Sequence, residues 1–316
     1  MSATAAAPST VTGPLRPRRH PGRVVVGAVA ILFFADLLYR IAMNEGFQWD
    51  VVGQYFTAPI IMKGLVSTIW LTIATVVLGF FFGTLLAVAR LSQNVVLQSL
   101  SWGYVWFFRS VPLLVLILFT FNIGYLVPVI EIGLPFMEPW ISMPTNSVIT
   151  PLGAGLLALT LHEAAYAAEI VRGGILGVDQ GQFEAASALG MSRRRTMLRI
   201  VIPQAMRSII PSAGNQLIGM LKGTSMVSVI AVGDLLYSAQ TVYNRTFQVV
   251  PLLMVATLWY VIVTTVMAWG QYYVERYFAR GATRQMPLTP LQWLRGRVGA
   301  LSRPSAAEPA GTEARP

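Results

Sequence analysis

Cysteine is absent from the chain, which excludes disulfides, thiolate metal sites and cysteine nucleophiles. Charge is scarce: 11% of residues are charged against 55% hydrophobic, with a mean hydropathy of +0.61. Such values exclude an ordinary soluble globular domain and point to a polytopic helical membrane protein. Histidine occurs only at His20 and His162, and neither HExxH nor GxSxG is present, so a membrane hydrolase lacks its machinery. No GxxxxGK[ST] phosphate loop occurs either; Lys222-Gly223-Thr224-Ser225 lacks the glycine required upstream. Active work by this chain must draw its energy from another polypeptide. Acidic residues are outnumbered 13 to 23, giving a net charge of +10. Nucleic acid is not the expected partner, because the arginines cluster in loops between apolar runs.

Those runs have membrane length. Residues 1–23 are rich in Ala, Pro, Ser and Thr and read as a disordered tail. An N-terminal transmembrane helix follows at 24–43, in which Asp36 and Arg40 can pair at i, i+4. Further spans are expected at 60–89, 111–130, 148–171, 209–237 and 250–273, with an interfacial helix at 92–109 and an outer loop at 131–147. The stretch 276–316 is polar and basic and reads as a soluble tail.

Lysine and arginine placement orients this scheme. With the N-terminus in the cytoplasm, nineteen Lys and Arg fall on inner segments and three (Arg40, Lys63 and Arg245) on outer ones. The positive-inside rule therefore puts both termini in the cytoplasm.

A polar, arginine-rich island at 179–203 interrupts the apolar pattern. Gly177 and Gly181 are expected to break the preceding helix, and Asp179 to cap a short helix ended by Gly190. Ser192 can cap a second short helix running to Ile202, with Pro203 marking its end or the start of the next. Arg193, Arg194, Arg195 and Arg199 cannot lie in hydrocarbon, so the island reads as a cytoplasmic elbow between spans. Ala185, Ala186, Ala188 and Gly190 would let another backbone approach closely; the plainer reading is a basic loop with no partner.

Glu184-Ala185-Ala186, Gly190, Ile200 and Pro203 resemble the EAA…G…I-x-L-P signature of permease subunits of binding-protein-dependent ABC importers, with Ile202 in place of the usual Leu. The resemblance extends over about 63–281. Tyr104–Leu114 (YVWFFRSVPLL), Ala165–Ile175 (AYAAEIVRGGI) and Leu221–Ser225 (LKGTS, with Gly223 where Asp is usual) resemble segments of the polar amino acid uptake branch. It implies an all-α membrane protein with the type I ABC importer permease fold, here a five-span core at 60–275 plus one extra N-terminal helix. It also implies that Glu184, Ala185, Ala186 and Gly190 couple to separate ABC ATPase subunits, which bind the ATP; no cofactor is expected on this chain. The implied partners are a second permease subunit, identical or related, an extracytoplasmic solute-binding protein, the amino acid substrate and the lipid of a bacterial inner membrane.

Intramembrane charge is expensive, so each case needs a reason. A zwitterion needs a cation for its carboxylate and an anion for its ammonium. Lys222 and Glu163 have the right signs, with Tyr166, Asn215, Thr224 and Ser225 as further hydrogen-bonding candidates. Lys222 either contacts substrate or neutralises Glu163 within the fold. Glu169 and Arg172 are expected to form a structural ion pair, and His162 to be a hydrogen-bonded inter-helix residue. Gly79 and Gly83 read as a packing face. An ion-gradient-driven secondary amino acid transporter is the alternative function, and a membrane enzyme a more distant one.

Overall fold

The computed structural model describes residues 21–278 apart from 135, 136 and 138. The tail expected at 1–23 lies almost wholly outside the described residues, as does all of 276–316 beyond Phe278. Helix α1 (Pro21–Ala42) is exposed from Val25 to Arg40, and Arg40 reaches Asp36 at 2.7 Å. Short α2 (Trp49–Phe56) leads into α3 (Pro59–Arg90), a 32-residue span opened by a proline in its first turn.

The third crossing differs from expectation. The interfacial helix expected at 92–109 is α4 (Val95–Ser110), but the span expected at 111–130 is only α5 (Leu113–Phe121), bent from α4 by 102°. Pro112 disfavours helical backbone at Val111, which breaks the path there. Asn122 Nδ2 then donates to the Leu118 carbonyl and closes α5 after nine residues, too few to cross a bilayer alone. The outer loop is partly ordered: β1 (Val129–Ile132) pairs antiparallel with β2 (Ile141–Pro144), and four-residue α6 (Thr145–Val148) follows.

Helix α7 (Pro151–Leu176) starts on its Thr150 cap and runs five residues past the expected 171. It packs parallel to α3 along a seam of small residues. A Cβ on Gly79 would lie 2.3 Å from Glu163 Cγ, and one on Gly83 2.6 Å from Ala167 Cβ. Gly79 and Gly83 are thus the expected packing face, and only glycine fits there.

The elbow comprises α8 (Gln180–Ala188), α9 (Arg193–Thr196) and a π-turn at Met197–Val201 that merges into α10 (Ile202–Gly223). Gly177 ends α7 as expected, but Gly181 lies inside α8 rather than breaking a helix. Pro203 stands in the first turn of α10. It lacks an N–H and crowds the carbonyl four residues back, and the π-turn takes up that misfit.

The fifth crossing is also divided. α10 stops at Gly223, a 3-10 stretch covers Thr224–Ile230, and α11 (Leu235–Thr246) follows. Thr224 and Ser225 bond back to the Leu221 and Lys222 carbonyls at 2.8 and 2.7 Å, which tightens the chain. α12 (Val249–Phe278), long and unbroken, is the last described span. Among the described residues, four helices are long and apolar enough to cross a membrane, and the two bent pairs bring the number to as many as six.

Candidate functional site

The elbow is built by its turn chemistry. Asp179 Oδ1 accepts from the Gly181 N–H at 2.7 Å and starts α8. Gly190 has φ +70 and ends it, with Met191 N donating to the Ala186 carbonyl at 3.0 Å. Gln204 Nε2 donates to Gln182 Oε1 at 3.1 Å and ties α8 to α10. Of the four expected coupling residues, Glu184, Ala185 and Gly190 are exposed. Ala186 is 1% exposed and faces the protein, so it packs the elbow rather than presenting a surface. Leu189, not singled out from the sequence, is 79% exposed beside Gly190. A small, knobbed face thus projects from the bundle, as a docking surface requires.

The six expected substrate residues are divided between α7 and the stretch from α10 to its break. Glu163 is fully buried in the α3–α7 seam and accepts from Gln216 Nε2 at 2.9 Å. Lys222 is exposed and in no ion pair among the described residues, so it does not neutralise Glu163. Tyr166 lies on the His162 ring at 4.8 Å and under the Arg109 guanidinium at 5.1 Å. Asn215 donates to Glu275 at 3.0 Å on α12. Thr224 is buried, and Ser225 lies next to Lys222 at the break after α10. Lys222, Thr224 and Ser225 are therefore neighbours where the helix ends, whereas Glu163 and Tyr166 sit on α7.

The pair expected between Glu169 and Arg172 is present at 2.7 Å, and Arg90 from α3 joins it as a second cation. Buried His162 Nδ1 has no hydrogen-bond partner among the described residues, which corrects the expected hydrogen bond. Its ring instead packs on Tyr166. Glu163 Oε1, Thr75 Oγ1 and Thr160 Oγ1 are likewise buried without partners.

Three residues escaped the sequence reading. Gln216 carried a signal, being polar within an apolar span six residues before Lys222. Arg90 carried none, since only parallel packing of α3 on α7 brings it to a residue 79 positions away. Buried Asp234 accepts from the Tyr237 N–H at 2.8 Å and lies 3.4 Å from the Tyr260 hydroxyl, a junction of α11 and α12.

Residues 76–280 match the family described as binding-protein-dependent transport system inner membrane component. The arginine transport system permease protein ArgU of Corynebacterium glutamicum is 39% identical over 287 residues, covering 90% of this chain and 89% of its own. The nopaline transport system permease protein NocM of Agrobacterium fabrum is 34% identical, covering 66% of this chain and 84% of its own. Among solved structures, an amino acid ABC transporter crystallised with histidines matches at 31% identity and a TM-score of 0.60, covering 69% of this chain and 94% of that one.

Proposed function

The chain belongs to the binding-protein-dependent transport inner membrane components and is the multi-pass permease subunit of an ABC importer; we propose that its cargo is a polar amino acid, with arginine the first to test. An extracytoplasmic solute-binding protein delivers the substrate. Separate ATPase subunits bind and hydrolyse the ATP and dock on the elbow, and a second permease subunit completes the pathway. Both termini and the elbow face the cytoplasm, a reading supported by the lysine and arginine placement.

The observation that carries this reading is the elbow itself. Glu184, Ala185, Leu189 and Gly190 are exposed on a short helix whose end is fixed by the positive φ of Gly190. Closing ATPase subunits would pull on that face, and the continuous path from α9 through the π-turn into α10 would carry the movement to Lys222. There the ammonium group of Lys222 binds the substrate carboxylate, with Ser225 beside it. Glu163 is a framework residue in this conformation, held by Gln216 rather than open to substrate. No observation favours an ion-gradient-driven carrier.

Co-purification tests the reading. The full-length chain should carry an ATPase subunit through detergent extraction, and in vesicles without it should accumulate no amino acid. Accumulation by the chain alone would overturn the proposal.

A further inference from the structure

Helix α4 crosses the α3–α7 pair, with Ser101 Oγ donating to the Leu86 carbonyl at 2.7 Å and Tyr104 to the Leu161 carbonyl at 2.9 Å. Its two flanks are chemically opposite. On one side is a recess lined by Phe82, Leu85, Leu86, Leu157 and Leu161, which is apolar. On the other is a recess of about 240 Å³ lined by Arg90, Trp102, Trp106, Arg109, Ser110 and Glu169. An apolar flank and a charged flank on one crossing helix mark the level where hydrocarbon gives way to headgroups. Trp102 and Trp106 are 54% and 60% exposed and stacked 6.2 Å apart, as indoles at a membrane interface are.

The charges in and beside this recess do not balance. Arg90 and Arg172 both bond to Glu169, whereas Arg109 lies over the Tyr166 ring and reaches Glu169 only through its field, with no ion pair among the described residues. Three cations face one carboxylate. The Ser110 hydroxyl lies in the same recess, although it is bonded to the Trp106 carbonyl at 2.7 Å.

We propose that the recess between α4 and the Arg90–Glu169 pair binds the phosphate of an anionic phospholipid headgroup. Arg109 supplies the charge that no ion pair holds, Arg90 the second, and the indoles of Trp102 and Trp106 lie at headgroup depth beside it. The site orders α4 against α7 at the end of α3 nearest the elbow. That this is the cytoplasmic leaflet rests on the orientation proposed above; that the lipid binds does not.

The full-length chain in detergent, titrated with dioleoyl phosphatidylglycerol, dioleoyl phosphatidylcholine or inorganic phosphate and read by native mass spectrometry, tests this without substrate or ATPase. Phosphatidylglycerol should be retained over phosphatidylcholine, and millimolar inorganic phosphate should not displace it. Arg109→Gln should lower phosphatidylglycerol occupancy about five-fold, as one lost surface cation predicts, while Arg109→Lys restores most of it. Trp106→Ala should weaken binding independently. Equal retention of both lipids, displacement by inorganic phosphate, unchanged binding in both Arg109→Gln and Trp106→Ala, or a second copy of the chain excluding lipid from this face would each overturn the proposal.

Discussion

The α3–α7 seam and the elbow are opposite solutions to the same demand for close approach. In the seam, Gly79 and Gly83 admit Glu163 and Ala167 so tightly that no Cβ fits, and nothing is left exposed. In the elbow, Ala185 and Gly190 are just as small, yet they face outward with nothing against them in the single chain. Small residues in a membrane helix bring backbones together by packing, because lipid supplies no hydrophobic drive between helices. Outside the bilayer the same residues leave room for another protein. The seam is a completed contact and the elbow an unfilled one.

Breaking the seam should have the largest effect. Gly83→Leu forces side-chain atoms where a Cβ would already lie 2.8 Å from the Ala164 carbonyl oxygen. A cost of about 3 kcal/mol or more is expected, seen as loss of monodisperse protein and a lowered unfolding temperature. Glu184→Lys on the elbow should do the reverse: unfolding unchanged, but ATPase retention and transport down about ten-fold, the equivalent of roughly 1.4 kcal/mol. If it lowered the unfolding temperature as much as Gly83→Leu does, the contrast would be lost. Lys222→Ala, at the end of α10 away from the elbow, should leave stability alone, since the side chain is exposed and in no ion pair among the described residues. Its substrate concentration for half-maximal ATPase stimulation should rise about ten-fold if it contributes a charge-assisted bond. Arg90→Gln should have the smallest effect, about 1 kcal/mol in unfolding. Its pair with Glu169 is one-fifth exposed and solvent-screened, and Arg172 remains to hold the carboxylate.

The straight spans were legible because hydropathy and length suffice for them: 60–89 was read from the sequence and α3 is Pro59–Arg90. The bent crossings were not, because hydropathy is blind to direction. The sequence does place a division between 109 and 111, where Pro112 carries the signal, but it gives neither the 102° bend nor the early end of α5 at Phe121. The division after Gly223 depends on Thr224 and Ser225 turning their hydroxyls back on the chain, a local choice that tertiary context decides. The elbow's start at Asp179 and the Gly190 turn were readable from capping chemistry, whereas Ser192 makes no side-chain cap and the second short helix runs on into α10. The inward face of Ala186 was not, since a helix with alanine on several sides has no strong apolar stripe to orient it. For the charged candidates, sign and depth were available, whereas partners depended on which helices run side by side. Glu163 therefore meets Gln216 rather than Lys222, and Glu169 gains Arg90.

The π-turn at Met197–Val201 fixes an angle as well as relieving a proline. One surplus residue in a helix turns everything beyond it by about 100°, the rotation of a single α-helical step. α9 is thus clocked against α10 like a crank keyed to its shaft, and α8 follows through the short turn at 189–192. Deleting Leu198 should let the helix rewind as ordinary α and swing the docking knob about a quarter-turn away from its bearing. The spans would stay assembled while the transporter idled.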